Sequence, residues 1–192
     1  AEAHGSPLGK DEIALTKLAY GWPGQEPFHV PAEVRAHCRG CVDRGAALEA
    51  AWRERFAAYE RAHPDLAAAW RQAQSGELPK GYEQALPGFT PKDGATPTRA
   101  ASGQVINALA PVVATLIGGS ADLAPSTNTL IKGSADFEAR SYEGRNIHFG
   151  VREHAMGSVL NGMALHRGVR PYGATFLIFS DYMRPAIRLA AI

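Results

Sequence analysis

Asn146-Ile147-His148-Phe149-Gly150-Val151-Arg152-Glu153-His154-Ala155-Met156-Gly157 is the stretch that decides the fold. Residues 146–151 read as a strand and residues 152–166 as a helix almost free of charge. The junction between them places one carboxylate, Glu153, in the helix's first turn. Burial raises the pKa of a carboxylic acid, so a poorly hydrated helix start suits an acid that exchanges protons near neutrality. Ala155, Gly157, Ser158, Gly162 and Ala164 are small, so another helix or subunit can approach closely there. The plainer account of Glu153 is a helix N-terminal acid favoured by the dipole and paired with Arg152.

Working outward, residues 171–179 read as a second strand and residues 181–192 as a further helix. Upstream, residues 98–116 form a helix that Pro111 should end or kink, and residues 116–120 form a short buried strand running into a glycine turn. Residues 125–144 are polar and turn-rich, the pattern of a long loop. Helices alternating with strands across short connections predict a parallel α/β sheet flanked by helices in this half.

The first half is helical. Residues 10–20 carry Ile13, Leu15, Leu18 and Ala19 as an apolar side, and residues 21–31 are a connector with three prolines. Residues 32–63 are rich in Ala, Arg and Glu, with Leu48, Trp52, Phe56 and Tyr59 at helical spacing, the spacing of a packing stripe. Residues 65–73 form another helix after Pro64. Residues 75–97 are weakly periodic and rich in Gly, Pro, Lys and Asp, which marks a linker. The division expected is residues 1–92, the end of one domain plus a helical linker, and residues 93–192, the beginning of a second.

The 192 residues carry a net charge of +1, which gives no reason to expect nucleic acid or an anionic membrane as a partner. No apolar run is long enough to span a bilayer. The opening residues Ala1-Glu2-Ala3-His4-Gly5 have neither an initiator Met nor a signal-peptide pattern, and residues 188–192 stop inside a helical pattern. The chain reads as an internal piece of a longer cytoplasmic protein. Cys38 and Cys41 are the only cysteines, too few for a zinc site, and sit on a helical segment as two thiols in a reducing compartment.

Three further features bear on chemistry. Residues 118–126, Gly-Gly-Ser-Ala-Asp-Leu-Ala-Pro-Ser, follow a strand, where two glycines allow positive φ or close backbone approach. They lack the Gly-Lys-Ser/Thr ending of a Walker loop and the spaced glycines of a dinucleotide fingerprint. Asp122 and Ser126 fall beyond a strand's carboxyl end, where open α/β sheets bind ligands, unless the segment is an ordinary turn. Phe176, Phe179 and Tyr182 recur every third residue, as core or as a stacking wall for a flat ring. Arg99 opens a helix, a suitable position for an anion and equally for a solvated side chain.

In this order the segments resemble the transketolase family across essentially the whole chain. His4-Gly5-Ser6-Pro7-Leu8-Gly9, Gly21-Trp22 with Pro27-Phe28, residues 118–126, Gly150 to Gly157 and Pro171-Tyr172-Gly173-Ala174-Thr175-Phe176 each match one of its motifs. The resemblance implies a thiamin diphosphate-binding fold and an enzyme that moves a two-carbon ketol unit between sugar phosphates in the pentose phosphate pathway. It implies a homodimer with active sites between subunits and a divalent ion, Mg2+ or Ca2+. It assigns Glu153 to the aminopyrimidine ring nitrogen, in a proton relay that generates the thiazolium ylid. Phe179 stacks on that ring, with Phe176 and Tyr182 beside it. Asp122 and Leu123 lie near the cofactor. Arg99 and Ser126 hold the substrate phosphate, and His4 contacts both cofactor and substrate. The family's Gly-Asp-Gly…Asn metal motif is absent, so no residue here is assigned to the metal and the fragment alone is expected to be inactive. Dihydroxyacetone synthase, deoxyxylulose-phosphate synthase and a non-catalytic α/β dimerisation module are the competing readings.

Overall fold

The structure, a computed structural model, describes residues 4–24 and 26–192. The opening residues 1–3, read above as lacking a signal-peptide pattern, lie outside the described residues. The chain divides into two compact units, residues 1–62 and 63–192.

The first unit is helical. Helix α1, Lys10–Ala19, has Asp11 and Glu12 in its first turn and Lys17 in its last, charges that complement the helix dipole. Helix α2, Ala32–Ala62, is long because alanine, arginine and glutamate are strong helix formers. The Pro31 carbonyl accepts its first helical hydrogen bond, from Arg35 at 3.0 Å. Trp52 and Phe56 stack at 5.2 Å, and Phe56 meets Tyr59 at 6.3 Å, so the three aromatics of the expected stripe meet, while Leu48 is exposed. Cys38 and Cys41 are free and exposed on this helix.

In the second unit helix α3, Pro64–Ser75, starts on a proline and ends at Gly76, whose φ of 77° is the left-handed value a helix terminus favours. Its last carbonyls are taken by a distant segment. Gly168 N donates to Ala73 O at 3.3 Å, Arg167 Nη1 to Gln74 O at 3.4 Å, and Arg170 Nη2 to Gly76 O. The linker that follows is irregular apart from short 3-10 turns at Tyr82–Ala85 and Pro91–Asp93.

Helix α4, Thr98–Leu109, ends two residues before Pro111, which cannot donate to a continuing helix. Strand β1, Leu116–Ser120, is buried along its whole length. Helix α5, Ala124–Thr127, is a single turn inside the stretch read as loop, started by Pro125 and closed by Asn128 in the left-handed region. Strand β2 covers Asn146–His148, helix α6 Glu153–His166, strand β3 Arg170–Ala174 and helix α7 Ser180–Ala191. Two expected strands are therefore shorter. The first ends before Gly150, whose φ of 66° turns the chain. The second ends at Ala174, and Leu177–Phe179 forms a 3-10 turn.

The three strands are parallel in the order β2-β1-β3, as the helix–strand alternation predicts. Central β1 explains its glycines. A Cβ on Gly118 would collide with the Tyr172 carbonyl, and one on Gly119 with the Ile147 carbonyl. Neither glycine has positive φ, so close backbone approach is their role. Ala110, Val113, Leu116 and Ile131 form the buried cluster beside the sheet, with Ile106, Leu109 and Tyr172 packed against it.

Candidate active site

The carboxyl ends of three parallel strands converge on one edge, and the segments leaving them enclose a cleft of about 790 Å³. Ala121, Asp122 and Leu123 come from beyond β1. Val151, Arg152, Glu153, His154 and Ala155 come from the β2–α6 junction, and Phe179 and Tyr182 from beyond β3. Central β1 with a neighbour on each side is what lets three separate loops face one space.

Glu153 is 7% exposed at the first residue of α6. Thr175 Oγ1 donates to its Oε1 at 3.2 Å. Among the described residues no basic side chain pairs with it, and its second oxygen has no protein partner. Arg152, the neighbour expected to pair with it, instead donates Nη1 to the Phe149 carbonyl at 3.1 Å. A carboxyl group held by one neutral donor, at the positive end of a helix, keeps its other oxygen available to a ligand.

The wall opposite is aromatic. Phe176 and Phe179 stack at 6.0 Å with their planes 20° apart, and Phe179 meets Tyr182 at 6.3 Å. Phe179 and Tyr182 line the cleft, while Phe176 backs Phe179 without lining it. Asp122 takes a φ of 62° at the rim, and Ser120 Oγ accepts from Leu123 N at 2.9 Å, which fixes the turn. Of the two roles open to the glycines, close approach is theirs, and the positive φ in this turn falls on the aspartate, a residue that tolerates it.

The structure brings together Glu153, Asp122, Leu123, Phe179 and Tyr182. Arg99 and Ser126 are exposed and do not line this cleft; they sit on α4 and α5, which pack where Gly103 meets Asn128. His4 is exposed and belongs to the first unit, whereas the cleft residues all belong to the second. Sequence reasoning missed Thr175, whose hydroxyl fixes Glu153, and the lining residues Ala121, Val151, His154 and Ala155. Thr175 sits in a segment read as continuous strand, and no local pattern marks it as the glutamate's partner.

The transketolase pyrimidine binding domain matches residues 95–192, and the transketolase thiamine diphosphate binding domain matches residues 1–79. The transketolase of Geobacillus stearothermophilus is 57% identical over 190 residues, 98% of this chain and 28% of that protein. That of Bacillus subtilis is 50% identical over 190 residues, again 98% and 28%. Among solved structures, transketolase from Leishmania mexicana superposes with a TM-score of 0.85 at 43% identity, covering 99% of this chain and 28% of that one. The Pichia stipitis transketolase complex with sedoheptulose 7-phosphate gives 0.84 at 42% identity, over 97% and 28%. The chain spans about 28% of the length of the relatives it matches.

Proposed function

This chain belongs to the transketolase family, and from that premise we propose that it is the part of a thiamin diphosphate enzyme that grips the cofactor's aminopyrimidine. The enzyme's reaction is reversible transfer of a two-carbon ketol unit from a ketose phosphate to an aldose phosphate, in the pentose phosphate pathway of the cytoplasm. The observation that carries the reading is the buried Glu153 carboxyl, one oxygen held by Thr175 and the other free, across a cleft from stacked aromatic rings. A flat, basic heteroaromatic ring fits such a cleft, because it offers a proton-accepting nitrogen to the acid and a π-face to Phe179.

When bound, thiamin diphosphate supplies the carbon nucleophile that attacks the ketose carbonyl. Glu153 holds the proton shared with the pyrimidine ring nitrogen. Phe179 stacks on the ring, Phe176 supports Phe179 from behind, and Tyr182 extends the wall. Asp122 and Leu123 close the side beyond β1. Arg99, with five fixed donors, and Ser126, with a hydroxyl, grip the substrate phosphate. His4 donates to the reacting oxygen and the cofactor. The divalent ion, Mg2+ or Ca2+, is assigned to residues outside these 192, as is most of the diphosphate site.

The reading includes a homodimer with the active site between subunits. Supporting it, one side of α6 is exposed and built from Ala155, Ser158, Val159, Gly162 and Leu165, small or apolar residues suited to close helix contact. It also divides the chain near residue 92 between two domains, consistent with the separate matches of its halves to two transketolase domains.

The test is Glu153→Gln in the full-length enzyme, assayed with xylulose 5-phosphate as donor. Loss of turnover by at least about 100-fold, with the dimer intact by sedimentation, is expected for a group that carries a transferred proton. Unchanged turnover would place Glu153 in packing alone and return the chain to a non-catalytic role.

A further inference from the structure

Helix α4 carries Arg99, Gly103 and Asn107 at i, i+4 and i+8, so the three share one face. Two of them touch the segment after β1 in a regular progression. Asn107 Nδ2 donates to Leu130 O at 3.1 Å and to Gly103 O at 2.9 Å, and its Oδ1 accepts from Lys132 N at 2.8 Å. One turn earlier, Gly103 is buried, and a Cβ there would stand 2.8 Å from Asn128 O. The helix runs back from 107 to 103 as the segment runs back from 132 to 128. One turn further back, Ala100, beside Arg99, and Pro125, beside Ser126, line the same cavity, so both residues belong to one stretch of the seam.

The segment is also tied to the sheet, by Asn146 at Ile131 and by Tyr172 at Thr129, while the side facing the start of α4 is more open. A cavity of about 560 Å³ opens along the seam, between Ala100 and Gln104 on the helix and Pro125 and Lys132 on the segment. Ile106 and Leu109 of α4 pack against the buried cluster that contains Ile131 of the segment, and so hold the two together on the core side. Along this open seam the helix is joined to the segment by a side chain that reaches across, Asn107, and at a residue too small to hold them apart, Gly103.

We infer that Gly103 and Asn107 are positioning residues that set Arg99 and Ser126 at the distance one phosphate group spans. This rests on the phosphate role given to Arg99 and Ser126 above. A side chain that only stabilised the segment would affect every substrate alike. A residue that sets the phosphate grip discriminates between donors with and without phosphate.

The experiment compares Asn107→Ala, Gly103→Ala and Ser126→Ala in the full-length enzyme. The donors are xylulose 5-phosphate and the unphosphorylated hydroxypyruvate, with glycolaldehyde as the common acceptor. Asn107→Ala and Gly103→Ala should each raise KM for xylulose 5-phosphate about ten-fold, equivalent to one charge-assisted hydrogen bond weakened, and change KM for hydroxypyruvate less than about two-fold. If Ser126→Ala shows that selective rise while the α4 variants affect both donors equally or neither, the positioning role is overturned and the phosphate role stands. If Ser126→Ala shows no selective rise, the phosphate role fails and takes this inference with it. Should Asn107→Ala not fold, Asn107→Asp, which keeps the acceptor for Lys132 and loses the donor to Leu130, carries the same comparison.

Discussion

Replacing Tyr172 by phenylalanine removes one hydroxyl from the second unit, and its effect should depend on pH in a defined direction. Tyr172 Oη donates to Thr129 O at 2.6 Å, joining β3 to the segment beyond α5. Thr129 is almost fully buried, so the variant leaves its carbonyl short of a donor in the interior. That costs about 1–3 kcal/mol, towards the lower end because the phenol is only half-buried. For a chain of this size each kcal/mol lowers Tm by about 2–4 °C. Burial pushes the Tyr172 phenol up to about 12, with the Arg145 guanidinium pulling the other way. An unfolded tyrosine titrates near 10, so between these values the unfolded chain has released a proton the native chain still holds. Stability therefore falls as pH rises. The contribution of Tyr172 is fully present below about pH 10 and is lost as pH climbs through about 12. Denaturant unfolding followed by circular dichroism at steps from pH 8 to 11.5 measures it. The gap between parent and Tyr172→Phe should narrow steadily above pH 10. Absorbance at 295 nm should show one of the six tyrosines ionising late in the parent only. A gap that stays constant or widens across this range would refute the argument.

Three further outcomes are expected. In α6, Gly157→Ala places a methyl 2.8 Å from Ala186 Cβ and 3.0 Å from Met183 Cε and should destabilise by about 1–2 kcal/mol, whereas Gly162→Ala meets nothing within 4 Å and should stabilise by nearly 1 kcal/mol; thermal melts of the chain compare them. Asn146→Ala removes the bonds that bind Ile131 N and O and Ser134 O and should cost about 2–4 kcal/mol, measured by the denaturation midpoint. Thr175→Val should lower turnover in the full-length enzyme about ten-fold with unchanged secondary structure, because the acid it holds loses its fixed orientation; an unchanged rate would remove Thr175 from the site.

What was legible in the sequence follows the range of the forces involved. Strand β1 is bounded by local signals, an apolar pair entering two glycines, and it forms at the residues expected. The β2–α6 junction is equally local, because Gly150 turns the chain and a long uncharged helical pattern follows. Strand β3 was overextended because residues 174–179 are almost wholly apolar, and an apolar run does not distinguish a strand from a helical turn. The segment 124–145 was illegible for a different reason. Its conformation is held by Asn107, Asn146 and Tyr172, which stand 15 to 43 positions from the backbone groups they reach. The acid and its aromatic wall could be named in advance through the family resemblance, since on residue type alone a carboxylate at a helix start and regularly spaced aromatics also fit dipole and core roles. Ala121, Val151 and Ala155 could not, since small apolar residues acquire meaning only from where the strands deliver them.

The capture of the end of α3 by residues 167–170 bears on where this protein can be cut. A chain begun at residue 93 would lose Ala73, Gln74 and Gly76 as acceptors and leave Gly168 N and the guanidinium groups of Arg167 and Arg170 without them. One begun at His63 keeps them. Amide protons of α3 should then exchange with solvent together with those of the sheet, as one cooperative block. A protease that spares this block would find its nearest opening in the exposed, irregular linker after Gly76 rather than within α3.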